Sequence, residues 1–195
     1  MFLKKSNFFS VIVFILLSFF FQKSVFAENE EIINYLGELN NFSVSFIQKD
    51  KLNLSEGKIS VGASRVRVEY YTPTKILIIL SKSKAMYYNF DLDEDEFFDP
   101  NDTSAWFFFE IFNNPEFFRN SKLVSKDNYI VVESNGINQN EEYTLKMYFE
   151  NNPLLIRKIE LIIGDTNLVL STFNHKYNEE FDKNFFKLIN PNFFN

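Results

Sequence analysis

Two hydrophobic periods divide the chain. Between residues 29 and 40, Ile32, Leu36 and Leu39 recur at spacings of four and three, and Glu30, Glu31 and Glu38 lie off that stripe. This period predicts an amphipathic helix. After Asn40 and Asn41 the period drops to two, with Phe42, Val44 and Phe46 alternating with Ser43 and Ser45, which predicts a strand. Strand-like runs recur at 57–61, 65–71, 75–80, 84–90, 122–125, 129–133, 142–149, 154–163 and 167–174. Turn chemistry separates them: Thr72 with Pro73, residues 126–128, residues 151–153, Gly164 with Asp165. Many short strands joined by short polar turns predict an antiparallel meander, as a sandwich or a barrel.

Two segments depart from that rhythm. Residues 103–112 read Thr-Ser-Ala-Trp-Phe-Phe-Phe-Glu-Ile-Phe. Asp102 or Thr103 is placed to cap a short helix. Trp106, Phe109 and Phe112 share one face of it, Phe108 and Ile111 flank that face, and Asn113, Asn114 and Pro115 end it. A helix apolar nearly all round has to be covered on more than one side, so it is expected across a barrel mouth or a sheet face. Residues 76–80, Ile-Leu-Ile-Ile-Leu, are apolar on both faces, and 154–163 nearly so. A one-faced meander alternates more cleanly; the excess points to a concave sheet with a filled or lined interior.

The N-terminus adds a location. Lys4 and Lys5 precede an apolar run from Phe8 to Phe21, broken only by Ser10 and Ser18, and Val25-Phe26-Ala27 follows as a small-x-small pattern. The run is shorter than the ~20 residues that span a bilayer, which favours a cleavable secretory signal over a retained anchor. The expected organisation is a signal peptide at 1–27 and one exported, soluble domain at 28–195. The chain has no Cys, so disulfides are absent and packing must supply stability. The formal net charge is −6, and losing Lys4, Lys5 and Lys23 with the signal makes the domain more acidic still. An acidic domain repels phosphate backbones, so no nucleic-acid partner is expected.

Catalytic signatures are sparse. His175 is the sole histidine, and no G-x-S-x-G elbow is present. Zinc ligands are lacking. Asp91, Asp93 and Asp95 alternate as in a calcium loop, but Glu96 stands where that loop needs Gly, and position 102 is Asp rather than Glu. A solvated acidic loop is the simpler reading. Carboxylate-only catalysis is left open by composition, yet no polar cluster interrupts the apolar strands. The expectation is a protein that is not an enzyme and uses no metal and no cofactor.

Several segments, taken in order, resemble the periplasmic outer-membrane lipoprotein carrier family (LolA-like). Phe42, Phe46 and Gln48 match its F-x-x-x-F-x-Q start behind an amphipathic helix. Gly57 and Ile59 match its second strand. Arg65, Arg67, Glu69, Tyr70 and Pro73 match an R-x-R-x-E-Y-x-x-P strand. Ser81, Lys84, Met86, Tyr87 and Tyr88 fit the next hairpin, Thr103 opens the lid helix, and Pro153, Leu155, Ile159, Phe186 and Pro191 fit the C-terminal pattern. The resemblance implies a mainly β, α+β fold: a curved antiparallel half-barrel covered by an N-terminal helix and a short helical lid. It implies a monomeric carrier that accepts acylated lipoproteins from an inner-membrane ABC-type release complex (LolCDE-like), shields their acyl chains, and delivers them to an outer-membrane receptor (LolB-like).

Strand phase then assigns a lipid-binding cavity. Val66, Val68 and Tyr70 share one strand face and are expected inward, opposite Arg65, Arg67 and Glu69. Phe46, Ile59, Leu77 and Ile79 are expected to extend the lining. Ile32 and Leu36 of the first helix, with Trp106 and Phe109 of the lid, are expected to close it. The family's usual Arg-Pro before the third strand is replaced by Gly62, Ala63 and Ser64, which leaves Arg65 and Arg67 as candidates for lid closure or partner docking. The competing functions are a periplasmic sensor of lipid or lipoprotein, a carrier of another lipid on the same fold, and an unrelated hydrolase.

Overall fold

The computed structural model describes residues 29–50, 53–126 and 128–194; the expected signal segment at 1–27 lies outside them. Helix α1 occupies residues 29–37. The strands are β1 (Phe42–Asp50), β2 (Asn53–Gly62), β3 (Arg65–Thr72), β4 (Ile76–Leu80), β5 (Ala85–Asn89) and β6 (Glu94–Phe98), then β7 (Lys122–Lys126), β8 (Tyr129–Asn138), β9 (Glu141–Glu150), β10 (Leu155–Ile163) and β11 (Thr166–Lys176). Helix α2 (Ala105–Asn113) stands between β6 and β7.

Among the described residues these strands form one antiparallel sheet, ordered β6-β5-β4-β3-β2-β1-β11-β10-β9-β8-β7. Every neighbour is a chain neighbour except β1 and β11, whose pairing (Phe46 opposite Thr172) joins two arms. The sheet is open and curved, a half-barrel. Its edges, β6 and β7, are consecutive in sequence, and the segment that links them carries α2 over the concave side.

Alternation decides which side chains meet there. Phe46, Ile59, Val66 and Val68 from one arm join Val132, Leu145, Met147 and Ile159 from the other in a single buried core. Ile32, Leu36 and Leu39 of α1 and Phe107, Phe109, Ile111 and Phe112 of α2 complete it. Gly57 is required by this packing: a Cβ there would lie 2.5 Å from the Phe46 ring, in a stretch where the β2–β3 register shifts.

The outer faces of the two arms differ. From residue 177 the chain runs without strand pairing as a strap across β1 to β6. The Glu179 amide donates to the Asn41 carbonyl at 2.8 Å, Leu188 packs on Leu77, Ile79, Met86 and Tyr88, and Asn190 donates to Asp95 at 3.0 Å. Gly62 admits this strap, since a Cβ there would meet the Phe186 ring at 2.9 Å.

Two elements depart from expectation. Strand β6 stands where an acidic loop is expected. Its Glu94, Asp95 and Glu96 are exposed, yet its backbone pairs with β5 from Ala85–Phe98 to Asn89–Glu94, and charge on an edge strand blunts further pairing. The lid helix begins two residues later than expected. Its N-cap is Ser104, whose side chain makes no capping bond, rather than Asp102 or Thr103; Thr103, one residue earlier, accepts the Ala105 amide on Oγ1 at 3.2 Å.

Candidate functional site

The inward assignments from α1, β1, β2 and β3 converge. Ile32, Leu36, Phe46, Ile59, Val66 and Val68 are buried in one cluster with Phe109. Tyr70 packs against that cluster; its hydroxyl donates to Gln48 Oε1 at 2.8 Å, its ring meets Phe46 edge-on at 5.2 Å, and burial pushes its pKa up to about 12. The concave space is therefore occupied by side chains from both helices.

Trp106 is only partly buried. Four other positions of α2, namely Phe107, Phe109, Ile111 and Phe112, are the buried ones, and their spacing turns Trp106, Glu110 and Asn113 to the less buried stripe. The indole closes the edge of the core by standing against Phe107 (4.8 Å) and Phe117 (5.6 Å).

Leu77 and Ile79 require a correction. They do not line the concave side. Leu77 pairs with Glu69 and Ile79 with Arg67, so both share the outer face, in a separate cluster with Met86 and Tyr88 beneath the strap. Their strand partners on the inner side are Ile78 and Leu80. Both faces of β4 are apolar because both are covered.

Arg65 and Arg67 stand on that outer face and hold the strap. Arg65 Nη1 donates to the Phe186 carbonyl at 2.5 Å. Arg67 Nη1 donates to the Phe185 carbonyl at 2.8 Å, its guanidinium lies 4.4 Å from the centre of the Phe185 ring, and it pairs with Glu69 at 2.9 Å. Neither arginine reaches the lid. Sequence reasoning missed the strap itself; its one visible signal was the aromatic group Phe181, Phe185 and Phe186, in which Phe181 stacks on Phe185 at 4.8 Å and Phe186 meets both edge-on at 5.1 Å.

The two covering helices are attached differently. In α1, the Tyr35 hydroxyl accepts from the Ile156 amide at 3.4 Å and is 3.2 Å from the Tyr177 hydroxyl; burial, then the Tyr177 hydroxyl, raise its pKa. Among the described residues, no side chain of α2 is hydrogen-bonded or ion-paired to the sheet. Polar ties hold only the ends of its segment. Gln139 Nε2 donates to Asp102 at 3.2 Å, Asn101 donates to the Lys82 carbonyl at 3.3 Å, and Arg119 pairs with Glu30 of α1 at 2.9 Å. The helix itself rests on apolar packing.

The sole histidine is held elsewhere: His175 Nε2 bonds the Ile156 carbonyl at 2.7 Å, and burial lowers its pKa. Among the described residues no group of three or more His, Asp or Glu could hold a metal ion. Asp93 instead accepts from Tyr88 (2.6 Å) and from Asn192 of the strap (2.7 Å).

No protein-family profile and no curated sequence matches the chain. Among solved structures, an uncharacterized conserved protein from Thermus thermophilus shares the fold at 8% identity, with 81% of this chain and 92% of that chain covered and a TM-score of 0.53. Weaker likenesses are MucB in the MucA/MucB complex of Pseudomonas aeruginosa (11% identity, TM-score 0.47) and LprF from Mycobacterium bovis (9% identity, TM-score 0.36). This chain spans 60% of the matched chain of that complex and 93% of LprF. At 8% identity the likeness to the Thermus thermophilus protein speaks for the fold alone.

Proposed function

We propose that this chain is a periplasmic carrier that takes the acyl chains of lipoproteins into its concave interior and ferries them from the inner to the outer membrane. The observation that carries the reading is a curved sheet whose concave face is apolar across both arms and is covered by a helix without polar ties to it. The order of motifs from Phe42 to Pro191 supports it.

Magnitudes make the exchange feasible. Burying Phe107, Phe109, Ile111 and Phe112 stabilises the closed state by about 1.5–3 kcal/mol each, roughly 6–12 kcal/mol together. An acyl chain leaving water recovers ~0.8 kcal/mol per methylene, so roughly 8–15 methylenes offset the loss of α2 packing. One acyl chain is thus matched to one lid helix, and neither binding nor release is steeply downhill. The carrier breaks no covalent bond, takes its cargo from an inner-membrane ABC-type release complex, and passes it to an outer-membrane receptor.

Purifying the protein from cells and identifying what co-purifies by mass spectrometry tests this. Triacylated lipoproteins are expected. Free lipids alone would move the reading to a carrier of another lipid, and an acyl-free protein that also fails to release lipoproteins from spheroplasts would overturn it.

A further inference from the structure

A crevice of about 290 Å³ opens where the end of α1, the β2–β3 turn and the end of α2 meet. Leu36, Leu39, Val61 and Phe112 form its floor, and all four belong to the concave core. The crevice is therefore floored by the packed core proposed to open for acyl chains, and a role for it in binding rests on that reading.

The rim has an unusual composition. Asn40, Ser64 and Asn113 stand around it with Gly37, Ala63 and Pro115, and among the described residues none that lines it is charged, in a chain that is 24% charged. Three other surface depressions carry charge: Glu142 in one, Arg65, Glu179 and Asp182 in a second, Glu30, Glu31 and Glu38 in a third. Arg65 follows Ser64 directly, but its guanidinium is bonded to Phe186 on the outer face.

The rim amides are polarised in opposite senses. Asn40 engages its Oδ1 with the Asn41 amide (3.1 Å), which leaves Nδ2 as a donor. Asn113 engages its Nδ2 with the Phe109 carbonyl (3.3 Å), which leaves Oδ1 as an acceptor. The turn between them is backbone-strained: Ala63 and Ser64 have φ of 52° and 54°, a pair that normally selects Asn-Gly. Left-handed backbone is unfavourable for residues other than glycine, and tolerated strain of this kind concentrates at functional sites.

We propose that this crevice receives the amide-linked end of an acyl chain. Asn40 Nδ2 donates to the amide carbonyl, Asn113 Oδ1 accepts from the amide N–H, and the methylenes run over Leu36 and Phe112 into the core. A secondary amide is the neutral linkage that offers one acceptor and one donor together. A free fatty carboxylate would surrender its hydration to a rim with no cation to pair it. The crevice thus selects acyl chains carried on an uncharged junction and rejects free fatty acids.

Equilibrium binding of three tritiated probes to the full protein at neutral pH tests the assignment: N-palmitoylglycine methyl ester (amide), methyl palmitate (ester) and palmitate (carboxylate). The amide probe should bind about tenfold more tightly than palmitate, the scale of one or two net hydrogen bonds, with the ester between them. In the double variant Asn40→Ala, Asn113→Ala the amide advantage over the ester should vanish while ester binding is kept, which also shows that the variant is folded. Palmitate binding as tightly as the amide, or a double variant that retains the preference, would overturn the crevice assignment and leave interior acyl binding standing. Failure of all three probes to bind would overturn both.

Discussion

The two arms of the sheet present the same inner face and opposite outer faces. On β3–β5 the outer side chains include Leu77, Ile79, Met86 and Tyr88, all buried under the C-terminal strap. On β8–β10 they include Glu133, Lys146, Lys158, Glu160 and Tyr148, which satisfy one another within and across strands without a cover. Lys146 pairs with Glu133 at 3.4 Å, Lys158 with Glu160 at 2.7 Å, and Tyr148 donates to Glu160 at 2.8 Å. A polar outer face is stable in water as it stands. An apolar one needs a second layer, and here that layer is irregular chain held by side chains on the sheet. Concave apolar surface is shared by both arms, so the difference between them concerns stability and docking, not the interior.

The largest effect should come from removing the cover. A chain ending at Lys176 exposes the Leu77, Ile79, Met86 and Tyr88 face and strands Arg65 and Arg67 without their carbonyl partners. Each large apolar side chain returned to water costs ~1.5–3 kcal/mol, which approaches the whole stability of an ordinary domain. The truncated chain should be unfolded, or folded with strong binding of an apolar dye and a much lower denaturation midpoint. An unchanged midpoint would mean that the strap is not structural.

The strap also marks where sequence reading stopped. Residues 177–190 have no helical or strand period, because their attachment runs through contacts such as Arg67 to the Phe185 carbonyl rather than through a repeating face. The phase of β3 was legible, since Val66 and Val68 oppose Arg65 and Arg67. The phase of β4 was not: in Ile-Leu-Ile-Ile-Leu neither face is marked polar, and only the register with β3 shows that Leu77 and Ile79 face outward. Strand β6 was hidden for the converse reason, its Glu94-Asp95-Glu96 run carrying no apolar alternation while its backbone ladder with β5 decides the matter. In the lid the sequence located the helix, but the cap fell on Ser104 rather than Asp102 or Thr103, and the burial of Phe107 and Ile111 turned Trp106 aside.

A smaller perturbation separates the strap's polar anchors from its apolar ones. Arg67→Ala removes the bond to Phe185, the stacking on its ring and the pair with Glu69, and should cost ~1.5–3 kcal/mol, the range for hydrogen bonds to charged groups. Arg67→Lys keeps the charge but not the planar fork, and should recover only part of that. Equilibrium denaturation of the three proteins checks the order; a lysine variant as stable as the parent would show that charge alone holds the strap.

The smallest effect concerns acid, and it sets the arms against each other through one carboxylate on each. Glu179, in the strap, accepts from the Ser43 hydroxyl and pairs with Lys58, and these partners hold its pKa below the ordinary glutamate value. Burial opposes the carboxylate of Glu160 on the bare arm, but Lys158 and Tyr148 outweigh it and lower its pKa as well. For both groups the unfolded chain binds the proton more readily, so their stabilisation is complete above the ordinary glutamate value and is lost as pH falls through the folded value. The structural consequence differs. Protonating Glu160 weakens its partly exposed pair with Lys158, worth ~0.2–1 kcal/mol, and uncovers nothing, whereas protonating Glu179 loosens the start of the strap. Hydrogen exchange compared between neutral pH and pH below the ordinary glutamate value should therefore rise first, beyond its intrinsic pH dependence, at strap amides. Glu179→Gln should remove that pH dependence and Glu160→Gln should leave it. Equal loosening of both arms would mean that the strap is no more acid-sensitive than the self-paired face opposite.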